Sequence, residues 1–395
     1  MLLQGGITMR KTLSKPLTLI TILGILLHMS MVTVCAQTFE VDAAAAILID
    51  ASTGTVLYEK NIHEPLPPAS VTKIMTMLLT MEAIDSNLIT LEDQVTISER
   101  ASSMGGTQIY VEPGETKSVE DLIKAIAIRS ANDATVAIAE HISGTEELFI
   151  RQMNDRAQEL GMKNTCFINT NGLPADGHNS SAYDIALMSM ELLKHDGIHK
   201  WMTTWMDTIE VGKKTKSIQS LVNTNKLIQT YKGITGIKTG STSEAKYCLS
   251  ASATRDNNTF IAVILAAPTS PIRFNEATKL LDYGFANFNT VKIMKSNEDM
   301  GFVSVNKGNR TEIKVVSVDK LDVLVKKGDE SKIEKEIILP QSVKAPIKKG
   351  EKIGEIVVTL DGKKIENKDI IAAENIEKAS VLDILTRMFV KMMGY

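Results

Sequence analysis

The sequence predicts an α+β protein of more than one domain. Three observations carry this. Hairpin-forming strands bracket a helical stretch between about 43 and 287. After about Phe288 the composition shifts to short Val- and Ile-rich runs separated by glycine turns. The chain then ends on a strongly amphipathic helix. At 395 residues it exceeds one ordinary core, so two or three domains are expected.

The first 36 residues read as an export signal. Arg10 and Lys11 supply positive charge, and an apolar stretch runs from about Leu17 to Val34. Val34-Cys35-Ala36 offers small residues for cleavage, with Gln37 as the mature start. Two alternatives stand beside cleavage. The stretch approaches the length of a membrane span, and Cys35 is a candidate lipidation site behind a bulky Val34. Met9 serves as well as Met1 for the start, because the residues between add nothing to the signal.

Ala43 to Asp50, the Ser52-Thr53-Gly54 turn and Thr55 to Tyr58 form the first hairpin. Pro65, Pro67 and Pro68 break the chain. A helix then starts near Ser70 and runs to about Ala83, apolar on nearly every side and so expected inside a core. Ser118 to Asp121 resembles a capping box, opening a helix to about Ile128. Ser130 to Asp133 interrupts it, and a second helix covers about Ala134 to Ile142. Asn169 to Asn179 reads as loop, Ala182 to Leu193 as helix. Ile234 to Pro268 reads as strands turned at Asp256-Asn257-Asn258, and Phe274 to Phe285 as an amphipathic helix. These elements delimit a first domain over 37–287 and an all-β domain over 288–375. The final segment is 376–395, where Ser380, Asp383, Arg387 and Lys391 form one polar stripe on an otherwise apolar helix.

Net charge is −3, which leaves no basic surface for nucleic acid. The six His show no HExxH or comparable ligand spacing, so no metal is expected. Cleavage would leave Cys166 and Cys248, enough for one disulfide, although two small buried apolar residues is the simpler reading.

The chemistry centres on Ser70 and Lys73. On a helix, residues three apart share a face. A Lys in so apolar a helix is desolvated, which favours the neutral amine and lets it take the Ser proton. Spacing alone is weak: Ser-x-x-Lys occurs at Ser70, Ser243, Ser304 and Ser317, against about one or two expected by chance. Context singles out Ser70, which alone opens a buried helix after a proline break. Ser130 and Asn132 sit at a helix junction, where capping is the ordinary alternative. Lys238-Thr239-Gly240 lies on a strand, and Gly240 lets a ligand approach closely.

Taken in order, Ser70-x-x-Lys73, Ser130-x-Asn132 and Lys238-Thr239-Gly240 resemble the three signature elements of penicillin-binding proteins and serine β-lactamases. Pro68-Ala69-Ser70-Val71-Thr72-Lys73, Asn171-Gly172-Leu173 and Gly236-Ile237-Lys238-Thr239-Gly240 look like the low-molecular-weight D-alanyl-D-alanine carboxypeptidases. The resemblance extends through the β-rich domain and the tail. It implies a β-lactamase/transpeptidase-like catalytic domain, an antiparallel sheet flanked by helices, with no metal and no cofactor. It also implies roles. Ser70 would be the nucleophile, Lys73 its base, and Ser130 the proton carrier to the leaving amine, linked to Lys73 and Lys238. Asn132 would hold the substrate amide, and Lys238 and Thr239 the terminal carboxylate, with Gly240 and Ser241 also at the substrate. The backbone N–H groups of Ser70 and Ser241 would form the oxyanion hole. The implied partners are peptidoglycan stem peptides ending in D-Ala-D-Ala, β-lactam antibiotics, and a membrane surface met by the C-terminal helix. The implied location is the extracytoplasmic face of a bacterial cell membrane.

Three other readings are weighed. A class A β-lactamase needs a Glu to position water, and Asn164 to Ser181 contains none. A non-catalytic wall-binding protein would not need the full Ser, Lys, Ser and Asn set. A D,D-endopeptidase would use the same residues on cross-links. One departure from the family pattern is Lys246, where Gly is usual before Tyr247-Cys248, and it puts the local turn in question. Arg273 is a candidate for the carboxylate pocket or a surface charge at a helix start.

Overall fold

The computed structural model describes residues 40–392, so the expected export signal over 1–36 lies outside the described residues. The chain opens with the expected hairpin, β1 (Ala45–Asp50) and β2 (Val56–Lys60). A 3-10 turn, Ala69–Thr72, then runs into the helix Lys73–Asp85. Ser70 therefore lies in the turn and Lys73 begins the α-helix. A small ribbon, β3 (Gln94–Thr96) with β4 (Thr116–Ser118), precedes the helical region.

Ser118 caps the helix, its Oγ accepting the Asp121 N–H at 3.0 Å, which is the N-cap half of the expected box. Its α-helix, however, ends at Lys124. Ala125–Arg129 widens into a π-turn before the helix Asn132–Ser143. The helix Glu146–Glu159 was not anticipated. Its signal was present in the Thr145 cap and in Phe149, Met153 and Ala157, which recur every four residues and are buried. Ala182–Leu192 follows, and then a second ribbon, β5 (Met206–Val211) with β6 (Ser217–Val222).

β7 (Ile234–Thr242), β8 (Lys246–Arg255) and β9 (Asn258–Ala267) complete the main sheet, followed by the helix Ser270–Asn287. Asp256 and Asn257 both take positive φ, 50° and 67°, the geometry a two-residue hairpin needs. The sheet has five antiparallel strands in the order β2-β1-β9-β8-β7. β7 is an edge strand. The sheet has two dry faces. Leu48 and Phe260 meet the Ser270–Asn287 helix, where a Cβ on Gly284 would lie 3.0 Å from the Phe260 ring. Ile47, Ile49, Ile261, Val263 and Leu265 face a core shared with Ile74, Met75, Met77 and Leu78 of the Lys73–Asp85 helix. That helix is buried nearly all round, as its composition predicts.

The C-terminal region is all-β. β10 (Phe288–Met294) pairs with β13 (Leu321–Lys326). The remaining strands are β11 (Asp299–Asn306), β12 (Glu312–Ser317), β14 (Ile333–Ile338), β15 (Ser342–Lys344), β16 (Lys352–Leu360) and β17 (Lys363–Ala372). They form a six-stranded sheet ordered β14-β16-β17-β12-β11-β15. Its core includes Val303, Ile313, Val315, Val358 and Ile370. Thr290 ties this region to the first hairpin by donating to Asp50 Oδ2 at 3.1 Å. The last described element is the helix Val381–Met392. Leu382, Leu385, Met388 and Phe389 on it are exposed. Among the described residues, no helix is long and apolar enough to cross a membrane.

Candidate active site

The site forms where the 3-10 turn at Ser70, the break between two helices at Ser130, the loop around Asn171 and the edge strand β7 converge. Two glycines make the convergence possible. Gly172 takes φ +84°, and a Cβ there would sit 1.8 Å from Ala69 O. A Cβ on Gly240 would meet Pro68 O at 2.8 Å and Ser70 N at 2.9 Å. What approaches Gly240 closely is thus the chain's own turn at Ser70, which corrects the expectation that the space serves a ligand.

Lys73 is wholly buried, and its Nζ has three neighbours. Ser70 Oγ lies at 3.0 Å, Asn132 Oδ1 at 2.7 Å and the Asn171 carbonyl at 2.6 Å. The two carbonyl oxygens can only accept. A neutral amine has two hydrogens, one for each of them, and its lone pair then faces the Ser70 hydroxyl. Burial is the main cause that holds Lys73 well below the usual lysine value; nearby Lys238 adds to this and Asp133 opposes it.

Ser130 stands at the end of the π-turn with φ 68° and is buried. Its Oγ has no hydrogen-bond partner among the described residues. The linkage of Ser130 to Lys73 and Lys238 that the resemblance implies is therefore not formed in this structure. Asn132 is held from two sides. Its N–H donates to Thr107 O at 2.7 Å and its Nδ2 to Gly105 O at 2.6 Å, which turns Oδ1 toward Lys73. Asp133, which sequence reasoning passed over, anchors the same loop. Its buried carboxylate accepts the N–H groups of Ile109 and Val111.

On β7, Lys238 is buried and donates to Thr239 O at 3.1 Å. Burial, reinforced by Arg273, pushes its amine down to about 7. Thr239 Oγ1 donates to Thr224 Oγ1 at 2.6 Å. Ser241 is exposed at the end of the strand. Arg273 is no surface charge. It is buried and donates from Nη1 to Gly240 O at 3.0 Å and Cys248 O at 3.2 Å, bracing β7 and β8 from behind.

Lys246 adopts φ 52°, so the turn keeps the left-handed conformation that glycine favours while carrying a lysine. Among the described residues Cys166 and Cys248 are not bonded; Cys248 is buried, but Cys166 is exposed, against the simpler expectation for it. Ser243 falls in the β7–β8 turn, and Ser304 and Ser317 lie on β11 and β12. None of these three shares the Ser70 setting.

The sequence profile described as D-alanyl-D-alanine carboxypeptidase matches residues 31–269. The profile described as penicillin-binding protein 5, C-terminal domain, matches residues 288–378. The chain is 46% identical over 347 residues to the D-alanyl-D-alanine carboxypeptidase DacF of Bacillus subtilis, covering 88% of this chain and 89% of that one. It is 37% identical to DacC of Escherichia coli, covering 87% of each. Penicillin-binding protein 5 from Haemophilus influenzae superposes with a TM-score of 0.75 at 32% identity, covering 86% of this chain and 98% of the other. These matches run through both the catalytic and the all-β regions, and the chain belongs to the serine D-alanyl-D-alanine carboxypeptidase family.

Proposed function

We propose that Ser70 carries the carboxypeptidase reaction on peptidoglycan stem pentapeptides, with Lys73 as its base. The observation that supports this most is the set of three contacts at Lys73 Nζ, in which two fixed carbonyls leave the lone pair for Ser70 Oγ. Lys73 takes the Ser70 proton as Oγ attacks the penultimate D-Ala carbonyl. The oxyanion forms toward the backbone N–H groups of Ser70 and Ser241. Ser130 turns its unpaired hydroxyl to the leaving nitrogen, relays the proton, and D-Ala departs. Water then adds to the Ser70 ester, giving up one proton to Lys73, and collapse returns that proton to Ser70 Oγ. The substrate lies along the free edge of β7, with its amide at Asn132 and its terminal carboxylate at Lys238 and Thr239. A β-lactam acylates the same oxygen and leaves slowly.

Further parts of this reading concern placement in the cell. Residues 1–36 direct export, 37–287 carry catalysis, 288–375 form a stalk, and 376–395 anchor the protein at the extracytoplasmic membrane face. The exposed apolar side chains of Leu382, Leu385, Met388 and Phe389 support an interfacial helix. Deleting 378–395 releases the protein from membranes; retention would assign anchoring to the N-terminal segment. For the chemistry, D-Ala release from a diacyl tripeptide is measured beside penicillin turnover. The expected result is release, with a long-lived penicillin adduct that Ser70→Ala abolishes. Rapid penicillin turnover, or labelling that survives in Ser70→Ala, would sink the reading.

A further inference from the structure

Two loops of the all-β region converge on the chain just before the C-terminal helix. In the β11–β12 turn, Gly308 is bridged to Lys378 and Asn309 N–H donates to Glu377 O at 2.8 Å. In the link between β15 and β16, Ile347 is bridged to Ile376 and Lys349 N–H donates to Asn375 Oδ1 at 2.7 Å. Ala379 N–H donates to Lys307 O at 2.9 Å, and the helix starts at Val381. The root of the helix is thus tied to both loops by hydrogen bonds.

This convergence gathers charge of one sign. Lys307, Lys344, Lys348, Lys349 and Lys378 are all exposed, and none has an ion-pair partner among the described residues. Over 306–310, 344–351 and 374–379 the chain has six cations against three carboxylates, although its overall net charge is −3. Two of the three carboxylates are engaged. Glu374 pairs with Arg310 at 2.6 Å, and Glu351 accepts the Lys348 N–H at 3.0 Å. Like charges gathered this way repel one another and destabilise the folded state.

The helix accounts for their position. Leu382, Leu385, Met388 and Phe389 form an exposed apolar face. A helix lying on that face in a membrane interface brings its root to the headgroup layer. The two loops, hydrogen-bonded to that root, then lie within reach of headgroup charge, since the Debye length is about 8 Å at physiological salt.

We propose that this end of the all-β region is a second membrane contact, a basic collar around the helix root that binds anionic phospholipid headgroups. The proposal rests on the reading of the helix as an interfacial anchor. It adds a contact outside the helix and a preference for lipid charge. An apolar face holds a protein on any bilayer, whereas ammonium groups distinguish anionic from zwitterionic headgroups. A second point of attachment also restrains the tilt of the all-β region above the membrane.

The test is flotation of the exported chain with vesicles of phosphatidylcholine alone, or of phosphatidylcholine mixed with phosphatidylglycerol. One lysine near an anionic surface contributes about fivefold to partitioning, so a preference for mixed vesicles of at least about twentyfold is expected. High salt weakens it. Lys307→Gln, Lys344→Gln, Lys348→Gln and Lys349→Gln are combined in one variant, all outside the helix. The combination lowers the preference at least about tenfold. It leaves binding to neutral vesicles, and D-Ala release in solution, unchanged. Equal binding of the wild type to both vesicles, or a preference that persists in the four-lysine variant, would overturn the collar. So would soluble poly(glycerol phosphate) that reduces wild-type binding to the level of that variant, which would assign the surface to an anionic polymer. Neutral-vesicle binding that survives Leu385→Asp with Phe389→Asp would instead overturn the helix anchor, an outcome separate from the four-lysine comparison.

Discussion

His178 gives the protein a specific acid weakness. It lies in the loop that follows Asn171 and is buried. Nδ1 accepts the Ile168 N–H at 3.0 Å, so the proton sits on Nε2, which donates to Thr72 Oγ1 at 2.8 Å. Burial, then the positive charge that Lys73 carries once it is protonated in acid, lowers its value from 6.5 to about 4. The folded state thus prefers the neutral ring, while the unfolded chain takes a proton near 6.5. Stability from this group is complete above pH 6.5 and is lost as pH falls through about 4. The full loss is about 3 kcal/mol, of which about 2.5 kcal/mol falls between pH 7.5 and pH 4.5. Urea unfolding of the wild type and His178→Gln at these two pH values isolates it. Other titrating groups are common to both proteins and cancel in the difference. His178→Gln is less stable at both pH values, but its stability falls about 2.5 kcal/mol less on acidification. An identical pH dependence in the two proteins would refute the reasoning.

Two further predictions concern backbone and packing. Lys246→Gly relieves a left-handed lysine at φ 52°. The relief of about 1–2 kcal/mol is partly offset by glycine's greater loss of freedom on folding, about 0.5–1 kcal/mol. A net gain of about 0.5–1 kcal/mol is expected in urea melts. Gly240→Ala places a Cβ against Pro68 O, Ser70 N and Val71 N. Stability drops by about 1–3 kcal/mol, and fluorescent-penicillin labelling falls more steeply, because the displaced turn carries Ser70.

Much of the fold could be read from local pattern. The first hairpin, the all-round apolar Lys73–Asp85 helix and the β8–β9 turn each carry their own signal in a few residues. What could not be read is non-local. That β7 lies at the sheet edge follows from strand order, which no run of residues encodes. The same holds for the site. Ser70, Lys73, Asn132 and Lys238 stood out as residue types in context. The Asn171 carbonyl at Lys73 is a backbone group without a side-chain signature. Arg273 was ambiguous because a charge at a helix start looks alike whether buried or exposed, and only packing against β7 and β8 decides it. Ser130 was legible as a helix break, whereas the π-turn that sets its left-handed backbone was not.

The central claim is that a neutral, buried Lys73 activates Ser70, and the pH dependence of Ser70 acylation tests it most directly. The second-order rate of fluorescent-penicillin acylation is measured from pH 5 to 11 for the wild type and Lys73→Met. The account predicts an acid limb well below the ordinary lysine value of 10.5 and a loss of at least about a hundredfold in Lys73→Met. A rate that keeps climbing toward pH 10.5, or a Lys73→Met protein acylated at the wild-type rate, would contradict it.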